Sequence, residues 1–248
     1  METQKTRYYL IDGIRGIAII NMVIFHFLYD VFMVYGVDRN WYGLPGIHIW
    51  QQAICQTFIF TAGFVWQLGQ KNNFRRGIFF HICGLAISFV TWRIVPSEAI
   101  WFGILNFMGC AVLFSIPLHK LVGKVPSLWG MAVCFSAFIV CKNMQRGYLG
   151  VGGICFLNLP QFLYRIKLLT VFGFPYPGFV SSDYFPIFPW IFLFFTGYFF
   201  YKYFEEQEKW REIACRKIPL FSVIGKRTIW IYLAHQPVCM MICLILFH

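Results

Sequence analysis

Residues 11–30 read IDGIRGIAIINMVIFHFLYD, an apolar helix with ionisable side chains on one face. An α-helix turns by about 100° per residue, so the eleven steps from Arg15 to His26 bring both side chains to one face, about 16 Å apart along the axis. Asp30 follows one turn later, at the i+4 position where side chains meet. Ionisable groups at membrane depth usually face a bundle interior or a water-filled cavity. The pattern predicts a functional site on this helix, with a structural pair between helices as the alternative.

The composition indicates an integral membrane protein. Of 248 residues, 59% are hydrophobic and only 12% are charged, whereas a soluble domain has about 25% charged residues. The nine cysteines are scattered, without CxxC pairs or His/Cys clusters at metal-ligand spacing, so we expect neither a disulfide framework nor a metal site. The net charge of +11 would also suit a nucleic-acid-binding protein. Because the positive residues gather at helix ends, we expect no nucleic-acid partner.

Long apolar segments predict an all-α, polytopic helix bundle in the cell membrane. A helical span needs about 20 apolar residues, and about seven segments qualify: 9–36, 47–69, 75–95, 99–118, 127–141, 184–202 and 227–247. Prolines and basic residues interrupt 142–183, which we interpret as re-entrant or interfacial, with an eighth or ninth span as the alternative. The distribution of lysines and arginines favours a cytoplasmic N-terminus. We expect one domain over residues 1–248.

His26 is the strongest catalytic candidate, because an imidazole can accept and return a proton near neutral pH. Asp30 could fix the tautomer of His26, as a carboxylate does in a catalytic triad. Alternatively, Asp30 caps the outer end of the helix in water. A second histidine, His48, opens the second helix and is a further candidate for the site.

Four polar residues are candidates for binding a polar substrate. Gln52 and Gln56 are i, i+4 neighbours on the second helix, where amides could bind a polyhydroxylated molecule or join helices. His235 lies in the last helix, where it could line a cavity or pair with Gln236. Asp183 precedes the helix at 184–202, which makes it either an N-cap or a carboxylate that faces the substrate.

Basic side chains near the inner helix ends are candidates for binding a phosphorylated ligand. Arg15 carries a planar guanidinium that matches phosphate or carboxylate oxygens, although Asp12 is close enough in sequence to pair with it. The positive-inside topology alone would also account for the other basic residues at these ends. They are Arg75, Arg76, Lys226 and Arg227.

The opening helix resembles the start of the transmembrane acyltransferase superfamily, where an Arg and a His separated by ten residues begin the first helix. The whole chain most resembles small bacterial members of the heparan-alpha-glucosaminide N-acetyltransferase catalytic-domain family. The supporting stretches are RYYLIDGIRGIAIINMVIFHFLYD (7–30), WQQAICQTFIFTAGF (50–64), SSDYFPIFPWIFLFFTGYF (181–199) and GKRTIWIYLAHQPV (225–238).

The resemblance implies a membrane enzyme that passes acetyl from cytosolic acetyl-CoA to an acceptor, often a sugar. Arg15 and His26 match the motif directly, and Arg75 and Arg76 roughly resemble arginines assigned to CoA binding in the superfamily. Eukaryotic members carry a catalytic histidine in the loop before their second helix. His48 is the nearest such residue here, in different surroundings, so two histidines compete for one role.

Together these observations predict an acetyl-CoA-dependent N- or O-acetyltransferase with His26 as general base and no metal. A covalent acetyl-histidine route is the alternative within this class. The expected partners are acetyl-CoA, a sugar or glycan acceptor and membrane lipids, and oligomers are compatible with the sequence. Two other classes stay open. One is a transporter or flippase that uses the buried Arg, His and Asp as a relay, and the other is a non-catalytic membrane partner.

Overall fold

The structure is a computed structural model that describes residues 7–216 and 218–247, and this part contains nine α-helices and one β-hairpin. The predicted domain 1–248 also includes residues 1–6, 217 and 248, which lie outside the described residues. The helices are α1 (Tyr9–Tyr29), α2 (Pro45–Trp66), α3 (Asn73–Ile94), α4 (Ile104–Val122), α5 (Ser127–Cys141), α6 (Ile187–Glu205), α7 (Glu208–Ala214), α8 (Pro219–Lys226) and α9 (Thr228–Leu246).

Each of the seven predicted spans coincides with one of the long helices α1 to α6 and α9. Among the described residues, five helical stretches are long and apolar enough to cross a membrane. They are Tyr9–Val34, Pro45–Ile94, Ile104–Val122, Ser127–Arg146 and Thr228–Leu246. The second of them contains both α2 and α3, joined by a 3₁₀ turn at Gln67–Asn72. The described part of the chain is therefore mainly helical, with helices suited to crossing a membrane, while the number of spans and their orientation stay predictions.

The segment 142–183 is described throughout and contains no α-helix, so it supplies no eighth or ninth helical span. It begins with an antiparallel hairpin of β1 (Tyr148–Val151) and β2 (Ile154–Asn158). The two residues between the strands, Gly152 and Gly153, have φ of 56° and 89°. A two-residue hairpin loop favours positive φ at both positions, which glycine adopts without strain. The sequence analysis did not predict this hairpin.

The chain forms two compact units, one of residues 1–61 with 204–248 and one of residues 62–203. We call them the terminal unit and the central unit. In the terminal unit, α1 packs against α8 and α9. Its apolar core joins α1, α2 and the loop between them. The buried members of this core are Ile19, Met22, Phe25, Trp41 and Ile54.

Glycines set the distance between α1 and α8. A Cβ atom on Gly16 would lie 2.0 Å from the carbonyl oxygen of Phe221, and one on Gly225 would lie 1.7 Å from that of Asp12. Both obstacles are backbone atoms, which cannot rotate away as a side chain would. The first glycine belongs to the DGIRG segment beside Arg15, so the same few residues fix α8 and present the cation.

In the central unit, α3 packs against α4, and a carboxylate from a distant loop caps α4. The Oδ2 atom of Asp183 accepts the backbone N–H of Ile104 at 3.2 Å, and Ile104 is the first residue of α4. Asp183 was predicted either to cap the helix that follows it or to face the substrate. The structure shows it capping α4 instead, an arrangement that depends on tertiary folding. Burial raises the pKa of the Asp183 carboxyl from 3.8 to about 6.

We predict that Gly16→Ala destabilises the protein, because its new methyl group would force α8 away from α1. Overpacking of this kind costs about 1–3 kcal/mol. The matched control is Gly46→Ala on α2, where an added Cβ meets nothing within 4 Å. Thermal unfolding of both variants in detergent measures the difference. Equal melting temperatures for the two variants would show that α8 is not held by this contact.

We also predict that stability falls as pH rises from about 4 to about 6. The pKa of Asp183 is raised in the folded protein, so in this window the folded state binds more protons than the unfolded state, and deprotonation favours unfolding. Asp183→Asn keeps an oxygen acceptor for Ile104 and removes the titrating group. The variant should lose this part of the pH dependence, as measured by melting temperature at several pH values. An unchanged profile in the variant would assign the dependence to other groups.

Candidate active site

The α1 face predicted from sequence is present in the terminal unit. Ile19 and Met22, which lie between Arg15 and His26 along the helix, are 0% and 5% exposed. They belong to the apolar core that also contains Phe25. Arg15 and His26 are themselves partly buried. A polar group at each end of a packed apolar strip is therefore the basic geometry of the site.

Asp30 lies at the point where α1 changes from α-helical to π-helical hydrogen bonding, over Asp30–Val34. Short π turns within helices occur frequently at functional sites. The carboxylate is only 1% exposed, so it does not cap the helix in water. The amide nitrogen of Gln236 on α9 donates to both of its oxygens, at 2.9 and 3.1 Å. This contact joins the end of α1 to the middle of α9.

His235, the neighbour of Gln236, brings a second imidazole to His26. The two ring centroids are 4.8 Å apart with an interplanar angle of 60°. Phe25 packs edge-on against the His26 ring at 5.9 Å. The sequence analysis proposed Asp30 as the partner that orients His26. In the structure the Asp30 carboxylate receives Gln236, and the imidazole beside His26 belongs to His235, so the orienting role of Asp30 stays a prediction without this geometry behind it.

The hydrogen bonding of His235 defines its tautomer. Its Nδ1 atom is hydrogen-bonded to the carbonyl oxygen of Tyr232. Because a carbonyl only accepts, Nδ1 carries the proton and Nε2 of the neutral ring is an acceptor. In the part of the chain that the structure describes, Nε2 is buried and has no hydrogen-bond partner, and the same is true of the Gln236 side-chain oxygen.

Arg15 differs from the neighbouring charged residues because it forms no salt bridge among the described residues, although Asp12 interacts with it electrostatically. Asp12, which could have neutralised it, instead forms a salt bridge with Arg7 at 2.8 Å. Within residues 7–216 and 218–247, the guanidinium of Arg15 makes no salt bridge and no hydrogen bond. An arginine in this state can present its planar fork to phosphate or carboxylate oxygens.

The other predicted donor-binding residues are divided between the two units. Lys226 and Arg227 are exposed where α8 meets α9 in the terminal unit, with the Lys226 ammonium 5.0 Å from the ring centroid of Tyr9. In the central unit, Arg75 is exposed, and Arg76 donates to the Oδ1 atom of Asn73 at 3.1 Å.

The candidate residues on α2 differ in exposure. His48 is exposed in the first turn of α2, whereas Gln52 and Gln56 are partly buried. The side-chain oxygen of Gln52 is buried and lacks a hydrogen-bond partner among the described residues. Trp50 donates to Asn21 of α1 at 3.0 Å, a polar contact between α1 and α2 that the sequence analysis did not predict.

No group of three or more His, Cys, Asp or Glu side chains within the described ranges is arranged to hold a metal ion. The two titratable groups that do meet, His26 and His235, come from α1 and α9, and Gln236 of α9 binds Asp30 beside them. His235 and Gln236 were noted in sequence, but their contacts to α1 were not predicted. The available signal was a polar HQ pair inside an apolar helix.

Comparison with known proteins identifies the family of the chain. Neither the curated proteins nor the solved structures give a match. A family model, described as heparan-alpha-glucosaminide N-acetyltransferase, catalytic, matches residues 7–237. The matched range contains Arg15, His26 and Asp30 on the α1 side and His235 and Gln236 on α9. The chain therefore belongs to the heparan-alpha-glucosaminide N-acetyltransferase catalytic family, whose members are membrane acetyltransferases.

Proposed function

We propose that this protein transfers an acetyl group from cytosolic acetyl-CoA to an amine or hydroxyl of a sugar or glycan acceptor. The observation that carries the proposal is the α1 face that holds Arg15, a cation without a salt bridge in the described part of the chain, and His26, whose ring contacts His235 of α9. The first suits a phosphorylated donor and the second suits proton transfer. Membership of the family supports acetyl transfer as the reaction class.

The donor would be held mainly by charge. CoA carries several phosphate groups, and a guanidinium can bind two oxygens of one phosphate at once. Arg15 is the candidate because no acidic side chain among the described residues forms a salt bridge with it. Lys226 and Arg227 are exposed in the same unit and would add to the attraction. Arg75 and Arg76 are a second candidate pair in the central unit.

The chemical step needs a base for the acceptor. His26 would take the proton from the acceptor N–H or O–H as its nitrogen or oxygen attacks the thioester carbonyl. The CoA thiolate then leaves, and the proton returned by His26 balances the charge on sulfur. An acetyl-histidine intermediate is the alternative route. His48 stays a second candidate base, although it is exposed.

The acceptor site is the least defined part of the proposal. Gln52 contributes a buried side-chain oxygen that lacks a partner within the described part of the chain, and a sugar hydroxyl or amine would supply the missing donor. Gln56 and His235 are the other candidates in the terminal unit. Asp183 is a weaker candidate than its sequence position indicated, because its carboxylate already binds the start of α4.

The proposed enzyme is a multi-pass protein of the cell membrane with a cytoplasmic N-terminus. In this arrangement seven spans form one domain over residues 1–248, and lipids surround the bundle. Arg15 then lies nearer the cytoplasm, where acetyl-CoA is made available, and His26 lies deeper. A free acceptor would approach from within the bundle or from the outer side.

We predict that Arg15, at one end of the α1 face, is needed for CoA binding, and that His26, at the other end, is needed for acetyl transfer. Arg15→Gln should weaken CoA binding by at least about tenfold, the effect of losing a charged hydrogen bond, and Arg15→Lys should also weaken it because lysine lacks the bidentate fork. His26→Ala should abolish acetyl transfer and leave CoA affinity nearly unchanged. Calorimetric titration with CoA and with dephospho-CoA, beside a turnover assay on a panel of amino sugars, measures both effects.

Two further variants test the alternative candidates: Arg75→Gln tests the second basic pair in CoA binding, and His48→Ala tests the second candidate base. Retained turnover in His26→Ala, with loss in His48→Ala, would move the base to α2. A purified wild-type protein that binds neither form of CoA and transfers no acetyl group would contradict the proposed function. The transporter hypothesis would then lead, because it uses the buried charged residues without needing the donor.

We also predict a definite sidedness. Single cysteines introduced at Asn72 and Gln207 in a cysteine-depleted protein should react with a membrane-impermeant maleimide only from the cytoplasmic side. Cysteines at Asp38 and Val180 should react only from the outside. The reverse pattern would place Arg15 near the outer surface and rule out the proposed route for cytosolic acetyl-CoA.

A further inference from the structure

We infer that His235 is the positioning residue for His26. Its Nε2 atom would accept the N–H of the His26 ring, which leaves the other His26 nitrogen unprotonated and directed toward the acceptor. This inference rests on the proposed acetyltransferase function and adds a residue to it. It also gives His235 the role that the sequence pattern assigned to Asp30.

A backbone hydrogen bond fixes the tautomer of His235. Its Nδ1–H is held by the carbonyl oxygen of Tyr232, one turn earlier on α9. The lone pair of the neutral ring is therefore on Nε2, the atom on the far side of the ring from the helix backbone. The backbone of α9 thus prepares His235 to accept a hydrogen bond and not to donate one.

The Nε2 atom of His235 lacks a hydrogen-bond donor in the described part of the chain. His235 is 9% exposed. Buried acceptors are nearly always satisfied, because leaving one unpaired costs free energy. The His26 ring is in contact at a centroid distance of 4.8 Å, and a neutral imidazole offers one N–H. A change of the His26 ring angle would bring that N–H to Nε2.

A hydrogen bond between α1 and α9 holds the two rings near each other. Gln236 follows His235 directly and donates to Asp30, which is one turn beyond His26. This hydrogen bond fixes the position of α9 along α1, one residue from His235 and one helical turn from His26. It therefore restricts how far the two rings can slide apart.

A neutral acceptor has an advantage at this depth. A carboxylate in contact with His26 would fix the tautomer but would also place its charge at the reacting centre, where a charged group at membrane depth is costly. An imidazole fixes the same tautomer without that charge. The Asp30 carboxylate near the pair binds Gln236, and the neutral Cys239 and Cys243 thiols on α9 interact electrostatically with it.

Two substitutions of His235 distinguish a role in positioning His26 from a role in packing. His235→Gln places an amide oxygen near the position of Nε2 and keeps an acceptor, whereas His235→Leu keeps a buried apolar side chain without one. The control is His81→Gln on α3 of the central unit, which replaces another membrane-helix histidine outside the site. For each protein in nanodiscs we would measure kcat, the KM for acetyl-CoA, CoA affinity and the ¹⁵N spectrum of labelled histidines.

We expect His235→Leu to lower kcat by at least about 100-fold, the usual contribution of a well-placed general base, with CoA affinity unchanged. His235→Gln should recover most of that loss, and His81→Gln should behave like wild type. In the ¹⁵N spectrum, His26 should show one tautomer in the wild type and His235→Gln, and a mixture of tautomers in His235→Leu.

Wild-type kcat in His235→Leu would overturn the inference, as would equal loss in the Leu and Gln variants, because the acceptor would then have no specific effect. The ¹⁵N spectrum tests the contact between His235 and His26 independently of turnover. If the wild type transfers no acetyl group, the proposed function fails, but a His26 tautomer that changes in His235→Leu and is kept in His235→Gln still supports the positioning contact. A tautomer that does not change in either variant overturns it.

Discussion

The hydrogen bonds from the Gln236 amide to the buried Asp30 carboxylate are the contact on which the geometry of the terminal unit's site depends. A charged group with 1% exposure in a membrane helix must find its partners within the protein, because lipid offers none. The partner here is on α9, so satisfying the charge also aligns the two helices. This alignment brings His26 and His235 together. The hydrogen bonds between Gln236 and Asp30 therefore position the residues of the proposed chemistry.

Much of the fold follows from the sequence because the bilayer imposes a length and a polarity on each span. The seven long helices were predicted for this reason, with ends that differ from the observed ones by up to seven residues. The hairpin at Tyr148–Asn158 was not, because its strands are short and its strongest signal is a single Gly-Gly pair, which the sequence analysis passed over. The close packing of α8 on α1 was also beyond prediction. Gly16 and Gly225 are visible in the sequence, but nothing local shows that each faces the backbone of the other helix.

The site was partly predictable for a related reason. Helix geometry alone places Arg15 and His26 on one face, and the apolar residues between them are buried as that geometry requires. Which charged residues pair with each other was harder to predict from the sequence. Asp12 could have bound Arg15 or Arg7 at similar sequence spacing, and only the folded chain shows that it binds Arg7. The partner of Asp30 lies 206 residues away, so no local rule could identify it.

The π turn at Asp30–Val34 makes the length of this segment as important as its composition. A π turn holds about one residue more than an α-helical turn, and one residue corresponds to a rotation of about 100°. Deleting a single residue here would restore regular α-helical hydrogen bonding. It would also rotate the chain after position 34 relative to His26, and with it the direction in which the chain leaves for α2. Among related chains, insertions and deletions should therefore accumulate in the loop before α2 and be excluded from these five positions.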